Sequence, residues 1–115
     1  WIGEPERLTE PARDRIRSAD RCLISSISCW EIGWKMRNDK LELPISFQDF
    51  VARVRGTLEL EVLPVDLQIW VANVNLDWDH RDPADRTIVA TAQIREAPII
   101  TSDARIRRFY PLTIW

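Results

Sequence analysis

Histidine, cysteine and lysine are all scarce in this 115-residue chain, and each scarcity closes off a class of chemistry. His80 is the only histidine, and it falls in a polar loop where a solvated side chain is expected, so a Ser-His-Asp triad finds no support. Cys22 and Cys29 are too few and too far apart for a zinc knuckle and do not form a C-x-x-C pair. They read as two buried small residues in a reducing cytoplasm. Lys35 and Lys40 are the only lysines; the remaining basic residues are arginine, an excess that genomic base composition explains as readily as phosphate binding. No apolar run approaches the roughly 18 residues of a membrane span, and no signal peptide is visible. A formal charge of −2 means that the whole molecule is no electrostatic trap for nucleic acid. Any such contact must use a local patch or be bridged by metal.

The remaining composition, 45% hydrophobic and 30% charged, is that of an ordinary soluble globular protein with one core. Trp1-Ile2-Gly3 reads as the tail of a helix stopped by glycine, which leads us to expect a natural start upstream of Trp1. Leu8, Ala12, Ile16 and Ala19 recur at helical spacing, with Thr9 as N-cap and Pro11 in the first turn. Cys22 to Ile27 reads as a short buried strand, followed by a helix from about Cys29 to Asn38. Ser46 caps a helix that ends near Gly56, and Leu60 to Val65 is a second strand. Asp66 caps the next helix; Asp77 to Pro83 is a polar loop; Ala84 to about Arg95 is a helix. A third strand (Ala97 to Thr101), a short helix (Ala104 to Phe109) and a last strand (Leu112 to Trp115) follow. Strands alternating with helices through short loops predict an α/β fold, with a parallel sheet flanked by helices.

Against this frame the acidic residues stand out. Asp77, Asp79, Asp82 and Asp85 crowd one short stretch, and Asp85 shares a helical stripe with Ile88, Val89 and Ala92. An aspartate on an apolar stripe is costly unless something pairs with it, and a divalent cation is one such partner. Each prominent acid also has a purely structural reading. Ser28-x-x-Glu31 is a capping box. Asp82-Pro83-Ala84-Asp85 places an N-cap, a proline at the first helical position and an acid that complements the helix dipole. Asp103 can cap the Ala104 helix. Taken together, however, Glu31 and Asp103 fall just beyond strand ends and Asp85 opens a helix, so all three point to the carboxyl edge of a parallel sheet, where ligands bind. Converging carboxylates raise one another's pKa. A hard divalent cation with oxygen ligands relieves them; it can polarise a phosphoryl group, activate a water and stabilise a leaving oxygen.

The order Ser28-x-x-Glu31, His80-x-Asp82-Pro83-x-Asp85-Arg86-x-Ile88-Val89-Ala90-x-Ala92, Thr101-x-Asp103 resembles the PIN domain, and more narrowly the VapC-type toxins of bacterial toxin–antitoxin pairs. Gly3 to Leu8 and the run Gly33 to Pro44 fit the same subgroup, so the resemblance covers essentially the whole chain. It implies a Rossmann-like three-layer fold and a metal-dependent ribonuclease. Glu31, Asp85 and Asp103 would be the catalytic carboxylates that hold Mg²⁺ or Mn²⁺, with Asp82 as an outer or N-capping contributor and Arg86 as a surface or ion-pair residue. The family begins with a strand that ends in an Asp-Thr-type motif; its aspartate would lie upstream of Trp1. The expectation is therefore a single PIN domain over residues 1–115, N-terminally incomplete and impaired in metal binding as it stands, with the activity belonging to the native-length protein.

The resemblance also implies an RNA substrate, an antitoxin that inserts a peptide near the acidic site, and a homodimer in the cytoplasm. Phosphate grip would come from metal plus Arg105, Arg107, Arg108, Lys35 and Arg37. Trp30 and Trp34, one helical turn apart, are either core or an apolar contact surface. The alternative is a catalytically inactive PIN-like protein-binding module. A receiver-like phosphoacceptor domain is disfavoured, because no lysine follows Lys40.

Overall fold

A computed structural model describes residues 7–115. The helix tail expected at Trp1-Ile2-Gly3 lies outside them. The element order is α1 (Glu10–Ser18), β1 (Cys22–Ser25), α2 (Ser26–Arg37), α3 (Phe47–Gly56), β2 (Leu60–Leu63), α4 (Leu67–Asn75), α5 (Pro83–Arg95), β3 (Ile99–Ile100), α6 (Ala104–Phe109) and β4 (Thr113–Ile114). The α/β reading holds. The chain divides into two compact units, one of Asp20–Val65 and the other of Asp66–Trp115 with the N-terminal segment up to Ala19.

In the Asp20–Val65 unit, β1 and β2 pair in parallel, from Cys22 opposite Leu60 to Ser25 opposite Leu63. The pairing stops where Pro64 follows, because proline has no N–H for a ladder. With its partner gone, the first strand turns directly into α2. Ser25 caps that helix, its Oγ accepting from the Ile27 N–H at 3.3 Å. Both strands are thus shorter than their apolar runs, and α2 begins at Ser26 rather than near Cys29. Gly33 lets α2 approach α3 closely: a Cβ there would sit 2.7 Å from the Phe47 ring.

In the Asp66–Trp115 unit, β3 and β4 pair in parallel, Ile99 opposite Thr113 and Ile100 opposite Ile114. Val89, Ala92, Ile106 and Tyr110 form the buried cluster, with Leu76, Trp78, Ile99 and Phe109 packed against it. Full burial of a side chain such as Val89 contributes about 1.5–3 kcal/mol. Thr87 and Thr91 are also buried on α5, and each hydroxyl donates one turn back, to the Pro83 carbonyl at 2.6 Å and the Thr87 carbonyl at 2.7 Å. The caps read from sequence at Thr9, Ser46, Asp66, Asp82 and Asp103 all form. No helix of the described residues is long and apolar enough to cross a membrane.

Candidate active site

Asp85 sits on the first turn of α5, and its side chain is only 27% exposed. Its stripe runs inward as expected, with Val89 and Ala92 buried. The partner that such a carboxylate requires is a protein group: His80 Nε2 lies 2.7 Å from Asp85 Oδ2. His80 is therefore not the solvated loop residue that its polar surroundings suggested. Its side chain is 9% exposed, its ring packs edge-on against Trp78 at 4.8 Å, and its other nitrogen, Nδ1, lies 3.1 Å from Arg105 Nη1. A guanidinium can only donate. Nδ1 must then accept, which leaves the proton of the neutral ring on Nε2, directed at the carboxylate.

The loop that carries His80 is shaped by Arg86, also on α5. Arg86 Nη1 donates to the Trp78 carbonyl at 2.6 Å and the His80 carbonyl at 3.0 Å. Nη2 donates to the carbonyls of Asn73 at 2.7 Å and Leu76 at 3.1 Å, and Nε donates to Asn73 Oδ1 at 3.4 Å. All five N–H vectors of the fork are thus turned inward to oxygen acceptors, and no carboxylate is among them. The surface or ion-pair role expected for Arg86 is replaced by a clamp on the backbone between α4 and α5. The buried Asn73 side chain joins it, its amide donating to Thr87 Oγ1 at 3.0 Å.

Asp82 caps α5, its Oδ1 accepting from the Asp85 N–H at 2.9 Å. Asp103 caps α6 through Oδ1, which accepts from the Arg105 and Ile106 N–H groups at 2.8 and 3.0 Å. Asp85 Oδ1 and Asp103 Oδ2 make no hydrogen bond among the described residues. The two carboxylates belong to one hydrogen-bonded string, since Asp103 holds the backbone of the same Arg105 whose guanidinium reaches His80 and, through it, Asp85. Glu31 lies in the other unit, half-buried within α2. Because Ser25 takes the cap, the Ser28–Glu31 capping box does not form, and the local structural explanation for Glu31 falls away. Among the described residues, no three His, Cys, Asp or Glu side chains gather into a group able to hold a metal ion.

Sequence reasoning missed His80 and Arg86 as site-building residues. A signal for the first was available: an acid on an apolar stripe needs a partner, and the Asp82 cap turns the preceding loop back over the first turn of α5. Nothing in the spacing marks Arg86, because four of its five acceptors are main-chain carbonyls.

The chain matches the PIN domain model over residues 1–111, and so it belongs to the PIN domain family. It is 28% identical over 119 aligned positions to Ribonuclease VapC22 of Mycobacterium tuberculosis, in an alignment that spans 100% of this chain and 90% of the relative. The VapC-type resemblance read from the motifs is borne out by that match. No solved structure matches.

Proposed function

We propose that this PIN domain hydrolyses RNA phosphodiester bonds with Mg²⁺ or Mn²⁺, as the toxin of a toxin–antitoxin pair, and that Glu31, Asp85 and Asp103 are the carboxylates that take the ion. The observation that carries the reading is the family match joined to the fixed Asp85: a half-buried carboxylate held by His80 through one oxygen, with the other oxygen left over. The donor chemistry fits. All three groups are carboxylates, the ligand type of hard divalent cations, and Asp85 and Asp103 each spend one oxygen on the protein. A bound divalent ion supplies charge to offset that on the phosphate oxygens and lowers the pKa of water. The chain's own contribution is orientation. His80 fixes the rotamer of Asp85, Arg86 fixes the loop that carries His80, and the α6 amides fix Asp103. Asp82, spent on the helix cap, acts at one remove.

The reading includes the Rossmann-like three-layer PIN fold as one domain, with the helices flanking a parallel sheet. It also includes an antitoxin partner and a homodimer. The contact surface proposed for these is the Trp30–Trp34 pair on α2, whose rings stack at 5.9 Å while remaining 59% and 53% exposed. Aromatic residues are enriched at interfaces. Light scattering well above micromolar concentration tests the dimer; a monomer there refutes it.

RNA cleavage by the full-length protein, free of antitoxin, with Mn²⁺ or Mg²⁺ against EDTA and with Asp85→Asn alongside, tests the chemistry. Metal-dependent cleavage that is lost in a folded Asp85→Asn variant is the expected result. Cleavage that survives the substitution refutes the site assignment. No cleavage across a range of structured RNAs, together with no metal binding, favours the inactive binding module.

A further inference from the structure

An open cleft of about 700 Å³ lies beside the Asp85–His80 pair, between the loop after α4 and helix α6. Its lining includes Trp78, Asp79, His80, Arg81, Arg105 and Arg108. We propose that this cleft seats a backbone phosphate of single-stranded RNA adjoining the one that is cut, held by Arg81, Arg105 and Arg108. The proposal rests on the ribonuclease reading of the neighbouring carboxylates and deepens it by placing the substrate.

The charge is local. The chain as a whole carries −2, yet the cleft gathers three guanidinium groups against one carboxylate, Asp79. Guanidinium forks match phosphate oxygens two at a time, and a concave seat lets several act on one group. Arg107, on the same helix, does not line the cleft, so only two of the three α6 arginines expected to grip phosphate are brought to it.

The position is functional as well as electrostatic. Arg105 reaches the cleft and also contacts His80 Nδ1, so the anchoring cation Arg105, His80 and the candidate catalytic carboxylate Asp85 are three members of one hydrogen-bonded string. The Trp78 ring, stacked on Phe109 at 4.6 Å, supplies apolar ground in the same lining. A cationic groove with aromatic surface is the combination used to bind single strands without reading their sequence.

The test is fluorescence anisotropy of a short labelled single-stranded RNA with the full-length protein in EDTA, across a series of salt concentrations. Arg81→Gln and Arg108→Gln are compared with wild type, and Arg95→Gln, an exposed arginine at the far end of α5, is the control. Wild type binds. Arg81→Gln and Arg108→Gln each weaken binding several-fold and reduce the slope of log K against log salt by part of the roughly 0.7 that complete loss of one phosphate contact on a single strand would give. Arg95→Gln binds as wild type. The proposal is overturned by an unchanged affinity and slope in Arg108→Gln, by an equal loss in Arg95→Gln, or by no binding of wild type even at low salt. The two readings fail separately. Arginine-dependent binding by a protein that cuts nothing keeps the phosphate seat and removes the nuclease. Metal-dependent cleavage with wild-type binding in both cleft variants does the reverse.

Discussion

His80 stands between Asp85 and Arg105, 2.7 Å from a carboxylate oxygen on one side and 3.1 Å from a guanidinium nitrogen on the other. A histidine in that position holds its neighbour's rotamer. His80→Ala is therefore expected to lower RNA cleavage roughly tenfold, the scale usual for groups that orient a metal-binding side chain. In a double-mutant cycle with Asp85→Asn, read by urea denaturation, the pair is expected to couple by about 1 kcal/mol. Full activity in His80→Ala, or strict additivity, contradicts the positioning role.

Arg86 gives a prediction about stability. Replacing it with Met leaves the carbonyls of Leu76, Trp78 and His80 without their donor and takes one of two donors from the Asn73 carbonyl, at a cost of about 2–4 kcal/mol. Arg86→Lys is expected to recover little of this, because one ammonium cannot reproduce a planar fork. Urea midpoints at constant slope measure both effects. A loss below about 0.5 kcal/mol in Arg86→Met contradicts the clamp.

Tyr110 predicts an alkaline limit. Burial, with a smaller contribution from the Glu96 charge, pushes its phenol above the usual tyrosine range. The folded state therefore holds this proton more tightly than the unfolded chain. The associated stability is fully present below about pH 10, the unfolded value, and is lost as pH rises through the folded one. The hydroxyl donates to the Ala97 carbonyl at 2.7 Å, so Tyr110→Phe is expected to cost about 1 kcal/mol at neutral pH and to flatten the alkaline decline. Thermal melts from pH 8 to about pH 11 compare the two proteins.

Glu96 ends α5 in the left-handed region, with φ of 51°. Glycine holds that conformation without the Cβ penalty, so Glu96→Gly is expected to stabilise the fold by about 0.5–1 kcal/mol and to raise Tm. A lower Tm in the variant contradicts this.

What the sequence made legible was mostly punctuation. Thr9, Ser46, Asp66, Asp82 and Asp103 announce their helices because a short polar side chain ahead of an apolar stripe has few other uses. Pro64 was equally legible in principle, and it cuts the second strand back to Leu63. The start of α2 was not, because Ser25, Ser26 and Ser28 all offer a cap and only the end of the strand pairing selects among them. At the site, the stripe through Asp85 foretold that the acid needs a partner but not which one. His80 and Arg105 reach it from loop and helix positions that no periodicity relates.

Asp85, Arg86 and Thr87 are consecutive: Asp85 faces His80, Arg86 faces the backbone of the preceding loop together with Asn73, and Thr87 faces the Asn73 amide. Successive helical residues point about 100° apart, so one turn of α5 distributes three tasks around its circumference. The tasks are linked, since Arg86 holds the loop that carries His80 and shares Asn73 with Thr87. A single residue inserted or deleted between Pro83 and Asp85 turns all three at once, pulling Asp85 off His80 and the guanidinium off its carbonyls in the same step. This turn is therefore constrained in length as well as in composition.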